Sequence, residues 1–230
     1  MLGYYLGDGS SDRGEITCHI DDQPSLKKQA ELAGMKVRSE HHVKDNQSGL
    51  MFDYSSNQAE GLLGDRVWFE FNRFREQLRS LGILSARRKS PKIIPEIYLR
   101  ASRQDRISLL QGLLDSDGTI SKSGRAISFT QKSKRVVEGF CELIASLGIK
   151  FSCKEKFNTS GDDSGKRYPS YLIQFYCCRE FLECFRLPRK LRRQLSEAKN
   201  TMSARSRSVH IKSIKTIEPT EGNCLSLIHI

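Results

Sequence analysis

The feature that most constrains this chain is a segment it carries twice. "GYYLGDG" at Gly3–Gly9 and "GLLDSDG" at Gly112–Gly118 are both mostly apolar runs ending in Asp-Gly, and their last aspartates, Asp8 and Asp117, stand 109 residues apart. Each is followed by a strand-like piece, "EITCHI" (Glu15–Ile20) or "AISFTQ" (Ala126–Gln131). Each then has a helical segment that ends in "LAGMKV" (Leu32–Val37) or "SLGIKF" (Ser146–Phe151). Gly34 and Gly148 stand where a helix hands over to a strand, as C′ residues do. Further on, "FDYSS" and "YLIQFYCC" (Tyr171–Cys178) have strand patterns. "FREQLRSLGI" (Phe74–Ile83) and "REFLECFRL" (Arg179–Leu187) have helical ones. Loops are expected at Ala86–Pro95 and Asn158–Ser170. Each half reads helix, strand, strand, helix, strand, strand, helix. The repeat is too long for a solenoid. It predicts an α+β fold of two αββαββα units, 1–104 and 105–206, related by a pseudo-twofold.

As helices, the paired segments place small residues four apart, Gly3 and Gly7 in one, Gly112 and Ser116 in the other. That spacing lets two helix backbones pack closely. Tyr4, Tyr5, Leu6, Leu113 and Leu114 fill the other faces. Gly9 and Gly118 are expected to end the helices with positive φ. Asp8 and Asp117 then lie at helix C-termini, the negative end of the dipole. Side-by-side packing brings the two carboxylates together, and each raises the pKa of the other unless a cation neutralises them. A hard divalent ion with oxygen ligands, Mg²⁺ in particular, resolves that conflict. A lone Gly-Asp-Gly is ordinarily a turn. Two copies, each opening one half of a repeat, are a far more specific signal.

Charge narrows the partner. The 38 Lys and Arg against 27 Asp and Glu leave a net charge of +11, which favours a polyanion, nucleic acid before an anionic membrane. No apolar run is long enough to span a bilayer, and the apolar start has no basic segment before it. The seven cysteines form no C-x-x-C pair, so reduced thiols are expected rather than zinc or a disulfide framework. These points predict no membrane partner and a cytoplasmic or nucleoid-associated protein. Strands 126–131, 150–157 and 171–176 carry polar side chains that could read base edges: Ser128, Thr130, Gln131, Lys154, Lys156 and Gln174. Most other charges touch phosphates or solvent. Adjacent His41 and His42 point to opposite strand faces and read as surface residues. Trp68, Phe69, Phe71 and Phe74 read as core.

Met1–Gly9 and Leu110–Gly118 resemble the two signature motifs of LAGLIDADG homing endonucleases, the second more closely. The first has Tyr4 and Tyr5 at aliphatic positions and Leu6 where an aspartate often stands. The resemblance runs over roughly residues 1–200. It implies two antiparallel sheets forming a saddle over double-stranded DNA, with the motif helices on the pseudo-twofold axis. It also implies a catalytic pair, Asp8 and Asp117, that holds Mg²⁺ (or Mn²⁺), with Gly7 and Ser116 beside them in the metal site. "SPKIIPEI" (Ser90–Ile97) resembles the lysine motif of intein-type members, which makes Lys92 the lysine beside the scissile phosphate. Pro91 and Pro95 stiffen its loop. By repeat symmetry "LPRKLRR" (Leu187–Arg193) offers Lys190 as the counterpart. Phosphodiester hydrolysis needs an activated water and charge neutralisation at the phosphorane, and a lysine serves either need.

"VHIKSIKTIEPTEGNC" resembles the return of an intein from its endonuclease domain to its splicing domain, with strands expected at Arg207–Ile217 within an extension of 207–224. No splicing nucleophile precedes Met1 and no His-Asn closes the chain, so splicing is not expected. The last six residues, 225–230, resemble a translated sequencing adapter. The expectation is a monomeric, metal-dependent, site-specific double-strand DNA endonuclease of intein origin. The alternatives are an intron-encoded endonuclease or RNA maturase of the same family, and a DNA-binding regulator that has lost cleavage.

Overall fold

The computed structural model describes residues 1–10, 14–44, 46–54, 73–84, 92–159 and 167–196. They lie in one compact unit, Met1–Ala198. The extension at 207–224 and the tail at 225–230 fall outside the described residues, as do Trp68, Phe69 and Phe71.

The first half runs through α1 (Leu2–Asp8), β1 (Glu15–His19), a 3-10 turn (Ile20–Asp22), α2 (Gln23–Leu32), β2 (Met35–Lys44), β3 (Gln47–Tyr54) and α3 (Arg73–Ser80). A short α4 (Glu96–Leu99) leads into the second half. That half contains α5 (Arg103–Asp117), β4 (Gly118–Ile120), β5 (Ala126–Gln131), α6 (Lys134–Ser146), β6 (Phe151–Thr159), β7 (Arg167–Tyr176) and α7 (Pro188–Leu191). Two antiparallel sheets result, in the orders β1-β3-β2 and β4-β5-β7-β6. The fold is α+β, as the sequence predicts.

Local chemistry explains the boundaries. Ser102 accepts the Asp105 backbone N–H at 3.2 Å and donates to the Asp105 carboxylate at 2.6 Å, a reciprocal cap that starts α5. Ser133 caps α6 through the Val136 N–H. Gly34, Gly82 and Gly148 follow α2, α3 and α6 with φ of +70°, +70° and +80°, the left-handed stop that glycine adopts without a Cβ clash. β5 alternates, with Ile127 and Phe129 buried and Ser128 and Thr130 turned outward. Phe129 stacks on Phe140 of α6 at 4.0 Å between centroids, and Tyr5 meets Phe74 edge-on. Along α5, from Leu109 to Asp115, every side of the helix is buried. This helix is therefore enclosed rather than amphipathic.

Three expectations need correction. Arg179–Leu187 forms no helix. Leu182, Cys184, Phe185 and Leu187 are all buried along it, and the Gln194 side chain takes over backbone pairing. Gln194 accepts the Cys184 N–H and donates to the Cys177 and Leu182 carbonyls. The first half shows one strand between α1 and α2 among the described residues, with a single Gly9–Ile16 bridge where the second half has β4. Gly9 and Gly118 do end their helices, but with φ of −78° and −81°. Their need for glycine is steric. A Cβ on Gly118 would lie 2.4 Å from the Leu114 carbonyl oxygen, and one on Gly9 would lie 2.3 Å from the Tyr5 ring. The six described cysteines are free thiols, and no described helix is long and apolar enough to cross a membrane.

Candidate active site

The site begins with the contact between α1 and α5. A Cβ on Gly3 would lie 2.5 Å from the Leu109 carbonyl oxygen and 2.9 Å from Gly112 Cα. One on Gly112 would meet Gly3 Cα and Tyr4 N at 2.9 Å, and one on Gly7 would fall 2.0 Å from Ser116 Oγ. All four small residues therefore lie where the helix backbones touch. Ser116 folds its hydroxyl back onto the Gly112 and Leu113 carbonyls, each at 3.0 Å, which keeps it compact.

The same contact brings the helix ends, and with them Asp8 and Asp117, to one place. Asp117 Oδ2 lies only 3.3 Å from where a Cβ on Gly7 would be. Burial raises the Asp8 carboxyl above its usual range, and the Lys92 and Lys190 charges oppose that rise. Asp117 is pushed up to about 6, first by burial and then by the charge of Asp8, against the pull of the same two lysines. Both carboxylates are thus held where ionisation is costly, next to each other and to two cations.

The lysines are placed differently. Lys92 donates to the Gly7 carbonyl at 2.6 Å and lies 5.9 Å from the centre of the Tyr5 ring. It is half-buried. Burial lowers its pKa, and Asp117 and Asp8 oppose the change. Lys190 is 7% exposed, and its ammonium donates to the carbonyls of Leu114, Asp115, Ser116 and Gly118 at 2.8, 2.5, 3.3 and 2.7 Å. It closes the C-terminus of α5, where the last carbonyls of a helix lack intrahelical donors. Burial brings its pKa down to about 8, with Asp115 opposing. The expected catalytic role of Lys190 is corrected to that of a buried cap.

Gln131, expected to face DNA, instead donates from Nε2 to Asp117 Oδ2 at 2.9 Å. It is one residue beyond Thr130, and one step along a strand changes the face. Its carbonyl oxygen is held by the Lys132 N–H at 2.8 Å, which fixes the amide orientation. The other five residues share the outer face of the second sheet. Ser128 pairs with Gln174, Thr130 with Leu172, and Leu172 with Lys154, while Lys156 pairs with Ser170, two residues further along. Gln174 reaches Ser128 Oγ at 3.3 Å. Much of the basic segment after β7 is committed to protein. Arg186 donates to Gln111 and Ser108, and Arg189 forms a two-pronged pair with Asp22 at 2.7 and 2.6 Å.

Sequence reasoning passed over Asp115. It is 2% exposed and accepts the Arg186 and Leu187 N–H groups and the Tyr4 hydroxyl, at 3.1–3.2 Å. Its pKa is raised to about 6 by burial, against those hydrogen bonds. The signal that could have found it is an acid directly after the apolar pair Leu113-Leu114, two residues before Asp117.

The donor set suits a hard divalent cation. Two convergent, partly desolvated carboxylates are oxygen ligands of the kind Mg²⁺ and Mn²⁺ take. No group of three or more His, Cys, Asp or Glu suited to a metal occurs among the described residues, so the protein would supply Asp8 and Asp117 and leave the remaining positions to water and substrate oxygens. The carbonyls of Gly7 and Ser116, expected beside the metal, already accept from Lys92 and Lys190.

Comparisons with known proteins bear on the second half. Residues 104–183 match the family model described as a LAGLIDADG-like domain. The replicative DNA helicase DnaB of Mycobacterium intracellulare is 30% identical over 155 residues, which is 67% of this chain. The chain spans only 20% of that helicase's length. Among solved structures, the homing endonuclease I-DmoI in complex with DNA and Ca is similar at a TM-score of 0.44 and 14% identity, over 83% of this chain and 92% of that one. I-DmoI in complex with DNA and Mn gives a TM-score of 0.38 at 14% identity, over 79% of this chain and 89% of that one. By the match over 104–183, the part of the chain built on α5 is similar to a LAGLIDADG-like domain.

Proposed function

We propose that this chain is a site-specific double-strand DNA endonuclease that hydrolyses phosphodiester bonds with a divalent metal, acting as a monomer within an intein. The observation that carries the reading is the meeting of Asp8 and Asp117 at the crossing of two helices whose backbones touch, with the Lys92 ammonium beside them. A bound Mg²⁺ or Mn²⁺ would supply charge neutralisation and an activated water. Asp8 and Asp117 would be the protein residues that hold that ion. Gln131 fixes the orientation of Asp117 through Oδ2. Lys92 keeps a positive charge at the same edge, where charge develops on the phosphate. The outer face of the second sheet, with Ser128, Thr130, Gln174, Lys154 and Lys156, turns toward the duplex. The helicase relative supports the intein reading, since a match of 155 residues to a fifth of that protein suits an inserted segment.

The test is cleavage of supercoiled plasmid carrying an uninterrupted helicase gene, in Mg²⁺ or Mn²⁺. Linear product is expected with metal and none with chelator. Asp8→Asn and Asp117→Asn should abolish double-strand cutting while duplex binding stays within about threefold of wild type. Unaltered cutting by the double variant would overturn the assignment, and binding without cutting by wild type would favour a regulator.

A further inference from the structure

The carboxylate of Asp115 and the ammonium of Lys190 are deeply buried, and their hydrogen bonds go to groups other than the Asp8 and Asp117 carboxylates. Each instead bridges the same two stretches of chain in the opposite direction. From α5, Asp115 reaches out to hold the backbone N–H groups of Arg186 and Leu187. From α7, Lys190 reaches back to hold four carbonyls at the end of α5. Two of those carbonyls, Ser116 and Gly118, flank Asp117 on either side. The Tyr4 hydroxyl, donated from α1 to Asp115 Oδ2 at 3.1 Å, joins the other motif helix to the same arrangement.

We propose that Asp115 and Lys190 form a reciprocal clamp between the end of α5 and residues 186–191, and that this clamp sets the position of Asp117. Both are then positioning residues for the site, and this functional half rests on the nuclease reading above. The physical basis is mutual dependence. Without the Asp115 carboxylate, two N–H groups lose their acceptor and the segment carrying Lys190 loosens. Without the Lys190 ammonium, the last carbonyls of α5 lose their donors and the turn bearing Asp117 frays. Among the described residues the clamp belongs to the second half alone. The residue equivalent to Asp115 in the first motif is the buried Leu6, and Lys92 holds a single carbonyl there.

Amide hydrogen exchange on the full chain tests the clamp without any substrate. Asp115→Ala should speed exchange at least tenfold at Arg186 and Leu187 and also at Ser116–Gly118, which it does not touch through its side chain. Lys190→Met should do the same at both places. Lys190→Arg and Asp115→Asn, which keep a donor and an acceptor, should stay within about threefold of wild type. The α6 amides of Val136–Ile144 should be unchanged in every variant. If each truncation acts only where its own side chain bonded, or neither acts, the clamp is overturned. If Asp115→Ala does not fold, Lys190→Met carries the same cross-test. For the functional half, nicking of supercoiled plasmid in Mn²⁺ should fall at least tenfold in both truncations at saturating DNA, with duplex binding unchanged and with activity restored by Lys190→Arg. Coupled exchange in the truncations together with no nicking by wild type would leave the clamp standing and sink the nuclease reading. Coupled exchange with undiminished nicking in the truncations would overturn the positioning role.

Discussion

Asp117 carries two loads at once, burial and the neighbouring charge of Asp8. Its folded pKa of about 6 lies above its ordinary 3.8. A carboxyl shifted upward favours the protonated form in the folded state. The penalty is therefore absent below about pH 4, grows as pH rises, and is complete above about pH 6. In metal-free protein, Asp117→Asn should match wild type near pH 4 and be the more stable form at pH 7, by on the order of 1–3 kcal/mol, less for its residual solvent contact. Denaturant melts across that window check this, and a stability gap that closes as pH rises would refute it. Mg²⁺ should raise the wild-type melting temperature at pH 7 and do so less near pH 5, where protons compete for the same oxygens. Asp8→Asn/Asp117→Asn should respond to Mg²⁺ at neither pH.

At the scale of elements, α1 and α5 leave no room between them. Gly112→Leu would place a side chain where Gly3 Cα and Tyr4 N already lie 2.9 Å from a bare Cβ. Overpacking of this kind costs about 1–3 kcal/mol, while a displacement of roughly 1 Å at a catalytic group removes most of the rate. Thermal melts and cleavage assays on Gly112→Leu should therefore show a modest loss of stability and a near-complete loss of cutting. Elements with local signals were legible in the sequence. β5 has its expected ends because its alternation is regular, and Gly34 and Gly148 mark their helix ends because positive φ is a property of one residue. What was not legible depends on distant partners. Arg179–Leu187 has the spacing of a helix, but Gln194 supplies the pairing that makes another conformation stable. Gln131 has the composition of a base reader, but its parity on β5 turns it to Asp117. Lys190 was found by symmetry as a lysine near the acids, yet its four carbonyl partners could be seen only once α5 and α7 were placed together.

Over the whole molecule, the charge of +11 is not one undifferentiated surface. Arg186, Arg189 and Lys190 are held by protein groups, whereas Lys154 and Lys156 are exposed on β6. Duplex binding should weaken steeply with salt. Removing Lys156 should lower the slope of log K against log salt by about 1, whereas Arg189→Ala should leave the slope alone and lower the melting temperature by freeing Asp22. A slope unaffected by Lys156→Ala would remove β6 from the DNA face. The hydrogen bond from Tyr4 to Asp115 reaches further than its length suggests. Two copies of the second half, joined as a symmetric dimer, would keep the glycine crossing but put Leu113 where Tyr4 stands, so each Asp115 would lose its hydroxyl donor. The two halves follow one pattern, yet at this contact they are lock and key rather than twins: one supplies a hydroxyl that only the other's carboxylate takes up.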